Sequence, residues 1–354
     1  MASEAHPESN AENNAGGNGR GGSGGRRVWP WVLGALLLLG FLILAVVVIA
    51  VVVGVSGGSG DSASRDSWEE SYVTGEGEAE IAALPVAGTI TDSTSGGVLS
   101  AGGGATPDAL RSQLQQVQDD PDVEAVILEV NSPGGGVVPS DEMYRMVKDF
   151  KEETDKPVVA SMGSTAASGG YYISAAADTI VANPSTITGS IGVIFNYTNF
   201  AEALDKVGVD PEPITSGEFK DLASPADELT DAERGIIEAQ IGDTYDQFVA
   251  AIVEGRDLPE DRVRELADGR TYSGEQAASN GLVDELGGIQ QAAAEARELA
   301  GIQRAEVVRY EESPGLLESV QARIAPQEPE AVQIIEAAGV DPTPELQYLY
   351  RPGW

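Results

Sequence analysis

Residues 163–172 read GSTAASGGYY, and this stretch decides how the chain around it is expected to fold. It follows an apolar run at residues 157–162 that has the pattern of a buried parallel strand, and it leads into a helical pattern at residues 172–178. Ser168 therefore lies where a strand turns into a helix, with the backbone N–H groups of the helix beside its hydroxyl. A tight turn that only permits close packing explains the same residues equally well.

A second glycine-rich stretch follows the preceding strand. Residues 123–130 have the pattern of a strand, and Asn-Ser-Pro and three glycines at residues 134–136 come directly after it. A helix capped at Ser140 then leads to the strand before Ser168, which predicts a right-handed βαβ unit. Both loops then lie at the carboxyl edge of one sheet, where such folds bind ligands. Consecutive glycine N–H groups there can stabilise an oxyanion, although an ordinary glycine turn is the alternative.

The composition narrows the chemistry that a serine could perform. The chain has a single histidine, His6, in a Gly- and Asn-rich N-terminal stretch, and it has no cysteine. A Ser-His-Asp triad needs an imidazole beside the serine, and thiol nucleophiles, cysteine-bound zinc and disulfides are excluded. A nucleophilic serine would take its base from a lysine or a carboxylate. Lys220 differs from the other four lysines because it lies in a loop between apolar residues, although a solvated loop lysine explains it too.

The charge is strongly negative. Fifty-seven acidic residues against 21 basic ones give a net charge of −36. This balance argues against nucleic-acid binding, which requires a basic surface. An acidic, lysine-poor surface suits high salt, where charge repulsion is screened over short distances, and we therefore expect a halophilic host.

The order of segments predicts a membrane-anchored enzyme. We expect a disordered tail at residues 1–27, a transmembrane helix at 28–55, a linker at 56–79, a catalytic domain at 80–312 and an acidic, proline-rich tail at 313–354. The uncharged run is long enough to cross about 30 Å of hydrocarbon. Arginines precede it and acids follow it, which predicts a single-pass protein of the cell membrane with a cytoplasmic N-terminus and an extracytoplasmic catalytic domain.

Local patterns predict further elements within the catalytic domain. Threonine or serine caps predict helices that begin near Thr106, Thr230 and Ser273. Short strands are predicted at residues 212–215 and, as the last strand of the chain, at 306–310.

Several segments together resemble the signal peptide peptidase A family, in its short membrane-anchored form with a Ser-Lys dyad. These segments occur in the same order as in that family, and together they cover roughly residues 80–300. They are NSPGGG at 131–136, SMGSTAASGGYY at 161–172, TGSIGV at 188–193, Lys220-Asp221 before Ser224-Pro225, DGR at 268–270 and LVDELG at 282–287.

The resemblance implies an α/β fold of the crotonase/Clp-protease type, built from repeated ββα and βαβ units. It implies that Ser168 is the nucleophile, Lys220 the general base, Gly135 and Gly169 the backbone oxyanion donors, and Ser190 a residue that orients the lysine. It also implies that the protein forms a homo-oligomeric ring or dome, needs no metal or cofactor, and hydrolyses signal peptides and other unfolded hydrophobic peptides at a lipid membrane.

A lysine base must be uncharged, and the ordinary lysine pKa is about 10.4, so we expect an alkaline pH optimum that salt lowers. Three other functions remain open at this stage. They are a crotonase-like acyl-CoA enzyme, a non-enzymatic membrane scaffold, and a peptidase dedicated to one membrane partner, similar to the stomatin-associated proteases.

Overall fold

The computed structural model describes residues 68–92, 104–311 and 346–349. The predicted N-terminal tail, the predicted span at 28–55 and most of the predicted C-terminal tail lie outside these residues. Within the described ranges, no helix is both long and apolar enough to cross a membrane.

A mainly parallel β-sheet forms the centre of the domain. In the order in which they pair, its strands are β1 (Glu69–Gly75), β11 (Ala305–Glu311), β2 (Ala79–Ala87), β3 (Val123–Ser132), β5 (Val158–Ala167), β6 (Thr179–Ala182) and β10 (Glu285–Leu286). Only β1 runs antiparallel to its neighbour along this path. A further strand, β7 (Ile187–Gly189), pairs with the end of β5 and with β9 (Thr271–Ser273).

Helices cover both faces of this sheet. They are α1 (Pro107–Asp119), α2 (Val137–Thr154), α3 (Gly169–Ser174), α4 (Ala201–Val207), α5 (Asp231–Arg256), α6 (Glu260–Leu266), α7 (Gly274–Asn280) and α8 (Ile289–Ala300). Helix α8 packs on one face, and α1, α2, α3, α5, α6 and α7 contribute to the core on the other. Helix α4 differs from all of these, because it has no buried residue.

The central strands are apolar on both faces, which is why the sequence shows continuous apolar runs rather than alternation. Along β2, Ile81 and Ala83 face α8, whereas Ala82 and Leu84 face the larger core, and all four are fully buried. This arrangement confirms the predicted α/β class with a parallel sheet, and it fits a Clp-protease-like fold.

Most of the local predictions are confirmed. Strands occupy the predicted places around residues 80–86 and 123–130. The Thr106 side chain caps α1, and both Thr230 and Ser273 form complete capping boxes with the residue three positions later.

Two element predictions are wrong. Residues 212–215 are exposed and form no strand, because Pro213 has no N–H to donate to a ladder and no apolar face holds the segment. Helix α2 begins at Val137, so Ser140 is not its cap. The Ser140 hydroxyl instead donates to the Gly136 carbonyl at 2.7 Å.

The folded domain extends beyond the predicted range at both ends. Strand β1 lies within the stretch predicted as a linker and pairs with β11. Strand β11 is not the last strand, because β12 (Leu346–Leu349) follows it within the predicted tail.

Candidate functional site

Ser168 lies between β5 and α3 in a strained backbone conformation. Its φ is 53° and its ψ is −117°, a combination that costs a non-glycine residue on the order of 1–3 kcal/mol. Two hydrogen bonds hold it there: its N–H donates to the Gly189 carbonyl at 2.8 Å, and its carbonyl accepts from the Tyr172 N–H at 2.8 Å. The residue is 1% exposed. Strain of this kind at a strand-to-helix turn is typical of a nucleophilic serine.

The serine turn packs directly against the second glycine-rich stretch. A Cβ atom on Gly169 would lie 2.5 Å from the Ser140 Oγ and 3.2 Å from the Gly134 Cα. Such distances leave no room for a side chain. Glycine at this position therefore allows the two loops predicted at the carboxyl edge of the sheet to come into contact.

Residues Gly134–Gly136 form a short strand, β4, rather than a free loop. The Ile90 N–H donates to the Gly134 carbonyl and the Gly136 N–H donates to the Ile90 carbonyl, both at 2.9 Å. A Cβ atom on Gly135 would lie 1.9 Å from the Ile90 oxygen. Only glycine fits at residue 135, and the N–H of Gly136 is already engaged.

Ser190 lies beside Ser168 because of strand pairing. Ala167 at the end of β5 is the partner of Gly189 at the end of β7. The residues that follow them, Ser168 and Ser190, therefore lie next to each other where the two strands end. Ser190 also has a positive φ, 50°, and its N–H donates to the Arg270 carbonyl at 2.8 Å. Ser168, Ser190, Gly135 and Gly169 are thus gathered at one edge of the sheet.

The outer edge of β4 is paired with the end of the chain. Strand β12 runs antiparallel to β4, with Tyr348 opposite Gly135. Its other edge pairs antiparallel with β8 (Ile194–Phe195). An extended segment therefore already pairs with the glycine strand next to Ser168.

Within the described residues, no hydrogen bond or strand pairing joins the predicted base Lys220 to this edge. It is exposed, in a turn closed by its own N–H donating to the Gly217 carbonyl at 3.1 Å. Each of the other four lysines donates to a carboxylate or a carbonyl. Within the described residues the Lys220 amine has no hydrogen bond or ion pair, and no hydrogen bond links it to Ser168.

The surroundings of Lys220 are exposed and partly apolar. We call residues 194–222 the outer segment. Several of its large apolar side chains are in solvent, including Ile214 at 100%, Val207 at 72% and Phe219 at 42% exposure. Large exposed apolar side chains that cluster in one stretch indicate an interaction surface.

An acidic cavity of about 290 Å³ lies behind this segment. Five carboxylates line it: Glu218, Asp221, Asp227, Glu228 and Glu233. Burial, followed by the charges of Glu233, Asp227 and Glu228, raises the pKa of Tyr197, which also lines the cavity. The electrostatic environment next to Lys220 is therefore negative.

Sequence reasoning missed a polar junction behind the serine turn. Asp141 on α2 accepts from the Tyr172 hydroxyl at 2.9 Å and from the Gln247 amide at 2.7 Å, and it pairs with Arg145 at 2.8 Å. The junction connects α3, which follows Ser168, with α2 and α5. Neighbouring Tyr144 has its pKa raised to about 12 by burial and then by Glu254. No spacing rule in the sequence joins residues so far apart.

Comparison with known proteins identifies the relatives of this chain. The model of peptidase family S49 matches residues 150–303. A protein of Enterococcus faecium named "Putative signal peptide peptidase SppA" is 35% identical over 296 residues, which are 81% of this chain and 86% of that protein. Protease 4 of Haemophilus influenzae is 39% identical over 228 residues, 62% of this chain and 35% of that protein.

A plant protein is also similar. The serine protease SPPA of Arabidopsis thaliana chloroplasts is 34% identical over 227 residues, 64% of this chain and 33% of that protein.

Proposed function

This chain belongs to peptidase family S49 and is a serine peptidase of the SppA type, and from that premise we propose that it hydrolyses signal peptides and other unfolded peptides with a Ser168–Lys220 dyad. The observation that carries the proposal is the strained Ser168 packed against a glycine strand that already pairs with an extended segment. Family membership displaces the crotonase-like acyl-CoA enzyme as an alternative.

In the proposed reaction the Ser168 Oγ attacks the carbonyl carbon of the scissile peptide bond. Its proton passes to the uncharged Nζ of Lys220, which acts as the general base. The backbone N–H groups of Gly135 and Gly169 donate to the oxyanion of the tetrahedral intermediate. Lys220 then donates its proton to the leaving amine, and a water molecule activated by the same lysine hydrolyses the acyl-enzyme.

We assign Ser190 the task of orienting the lysine. The support is its position: it follows the strand paired with β5, one residue beyond the partner of Ala167. A hydroxyl there is adjacent to Ser168 and can accept a hydrogen bond from an amine that enters the site.

The lysine that completes each site comes, in our proposal, from a second copy of the chain. Three observations support this assignment. The Lys220 amine has no partner within the described residues, the outer segment exposes apolar side chains, and α4 has no buried face. Closure by a neighbour would remove the lysine from water, which favours its uncharged form. A ring or dome of copies would supply each site in this way.

Substrates bind, in this proposal, by adding a strand to the edge of β4 that Leu346–Leu349 occupies in this structure. The pairing of Leu346–Leu349 with β4 and β8 is the support, since it is the hydrogen-bonding mode of a bound extended peptide. Only an unfolded chain can supply such a strand. Glu218 and Asp221 would disfavour acidic peptides.

The cellular setting is proposed from the sequence. The uncharged run at residues 28–55 would anchor the protein in the cell membrane, with the catalytic domain outside the cytoplasm. The net charge of −36 suits a halophilic host. A non-enzymatic scaffold remains the second candidate, but it does not account for the strain stored at Ser168.

The test is hydrolysis of a fluorogenic hydrophobic peptide by the full chain in detergent at high salt. Ser168→Ala and Lys220→Ala are each expected to lower the rate by several orders of magnitude, because they remove members of one catalytic unit. Lys206→Ala is the matched control, since Lys206 lies in the same outer segment and, among the described residues, its amine pairs with Glu202 alone. Full activity in Lys220→Ala would overturn the dyad, and an inactive parent at every pH would favour the scaffold.

A further inference from the structure

Three carboxylates converge at the edge of the sheet formed by β1. Glu70 lies on β1, Glu80 on β2, and Asp120 directly follows α1. One carboxylate oxygen from each lies within 4.8 Å of the others. Oxygens that share a calcium ion at about 2.3–2.6 Å can be this far apart, so the spacing suits one shared cation.

A buried hydroxyl lies on the same face of the sheet as this cluster. Tyr310 on β11 is the direct partner of Glu70 across the β1–β11 pair, and opposite residues of an antiparallel pair share a face. The residue is fully buried, and its hydroxyl makes no hydrogen bond that meets ordinary distance and angle limits within the described residues. The Gln116 amide lies close enough to this hydroxyl to lower its pKa, and both ends of the amide are also hydrogen-bonded to the Trp68 backbone.

The charges around the cluster are not balanced by a side chain. Within the described ranges no lysine or arginine forms an ion pair with Glu70, Glu80 or Asp120. Lys156, the nearby amine, donates to the carbonyls of Val117 and Asp120 at 2.8 and 2.9 Å instead. It thereby satisfies the last turn of α1, and its charge also acts on Asp120. Glu70 and Glu80 have no ion pair with a lysine or arginine within the described residues.

This crowding raises the pKa of two groups. Burial, then Glu70 and Asp120, raises the pKa of the Glu80 carboxyl, with smaller contributions from Asp122 and Glu306. Burial, then Glu70, Asp120 and Glu80, raises the pKa of the Tyr310 hydroxyl. A bound cation would relieve the repulsion that both groups experience.

We propose that Glu70, Glu80 and Asp120, with the Tyr310 hydroxyl beside them, form a binding site for a hard divalent cation of the size of calcium. Carboxylate oxygens are the ligands that such an ion prefers, and water would complete its coordination. The ion would join β1 and β2, which are separated by β11, to the end of α1. It would therefore fasten the edge strand through which the chain enters the domain, and it would take no part in peptide hydrolysis.

Terbium is a suitable probe, because it replaces calcium in oxygen sites and emits when a nearby tyrosine or tryptophan absorbs. Tyr310 and Trp68 are close enough to serve. The full chain, treated with chelator and kept at constant ionic strength, is titrated with terbium, and the bound terbium is then displaced with calcium or magnesium. Calcium is also added in a thermal unfolding experiment, to read the stability of the same protein.

The expected result is saturable terbium emission that calcium displaces more readily than magnesium. Glu80→Gln and Asp120→Asn should each weaken binding by roughly tenfold or more and abolish the increase in melting temperature produced by calcium. Glu78→Gln is the matched control, because it removes an exposed acid from the same stretch but outside the cluster. Equal behaviour of all three variants would show only diffuse attraction to an acidic surface and would overturn the site.

Discussion

The two halves of the proposed dyad lie in opposite kinds of structure. Ser168 is 1% exposed, held by backbone hydrogen bonds and by contact with glycines that admit no side chain. Lys220 lies in the outer segment, where residues 206–220 are all exposed. The serine is fixed by the core of the domain, whereas the amine of the lysine makes no hydrogen bond or ion pair within the described residues.

This difference explains how a strained, buried nucleophile and an exposed lysine can belong to one enzyme. A strained backbone at a serine persists only where the surrounding contacts hold it in that conformation, and this requires a rigid site. A lysine that must lose its charge requires removal from water, which the isolated domain does not provide. We infer that folding prepares the nucleophile and that assembly prepares the base.

The largest difference is expected between two glycine-to-alanine substitutions, one beside Ser168 and one in the outer segment beside Lys220. Gly135→Ala should reduce hydrolysis by several orders of magnitude, because the new Cβ would overlap the Ile90 oxygen at 1.9 Å and displace the proposed oxyanion donor. Gly217→Ala, in the outer segment, meets nothing within 4 Å and should leave the rate unchanged. Initial rates and unfolding midpoints of both variants provide the check. Equal losses in the two would mean that the regions are equally constrained.

The next prediction concerns mixtures of inactive variants, which test whether Ser168 and Lys220 act from different copies of the chain. Ser168→Ala and Lys220→Ala are each inactive in our proposal, but dissociated and reassembled together they should regain activity well above that of either alone. Some interfaces then combine an intact serine with an intact lysine. Mixing Ser168→Ala with a double variant that lacks both residues is the control and should recover nothing. Failure of the first mixture, with assembly intact, would place both residues in one copy.

A smaller effect is expected from removing β12, the strand that touches both regions. It pairs with β4 on one side and with β8, at the start of the outer segment, on the other. A chain that ends before residue 346 should show a KM for peptide lowered by a few-fold, because the edge of β4 is no longer occupied, with little change in kcat. A raised KM would show that β12 instead helps to build the site.

The smallest effect concerns α5, the helix that joins the outer segment to the core. Near its end, the hydrogen bond from Lys148 lowers the pKa of the Glu254 carboxyl below its ordinary value of 4.5. A lowered folded-state pKa gives stability that is present above the unfolded value and is lost as pH falls through the folded one. Glu254 is largely exposed, so Glu254→Gln should cost about 0.5 kcal/mol near neutral pH and less near pH 3.

Urea unfolding at the two pH values measures this difference. Glu153→Gln, an exposed acid on α2, is the control and should show no such change. An effect of Glu254→Gln that is equal at both pH values would contradict the ion pair as its cause.

The sequence predicted the rigid half of the molecule well, for a physical reason. Strands that are buried on both faces produce apolar runs, and the capping box at Thr230 is formed by residues three positions apart. For this reason β2, β3, β5 and α5 can be predicted from short stretches of sequence. The proximity of Ser168 to Gly135 could also be expected, because neighbouring parallel strands end at one edge.

The remaining features depend on contacts between distant residues. Pro213 prevents the strand predicted at 212–215, and no apolar face replaces it. The Asp141 junction joins three helices, and β12 pairs with a strand from the first half of the chain. Neither has a local signal. The position of Lys220 relative to Ser168 is not determined by one chain in our proposal, so no window of a single sequence could have predicted it.

The pairing of β12 with β4 also has a consequence for the order of events during synthesis. A chain emerges from the ribosome N-terminus first, and domains fold as they emerge. The glycine strand and Ser168 can therefore assemble long before residues 346–349 exist. Until residues 346–349 have been synthesised, the edge of β4 remains open to any extended segment, including one from a neighbouring nascent chain.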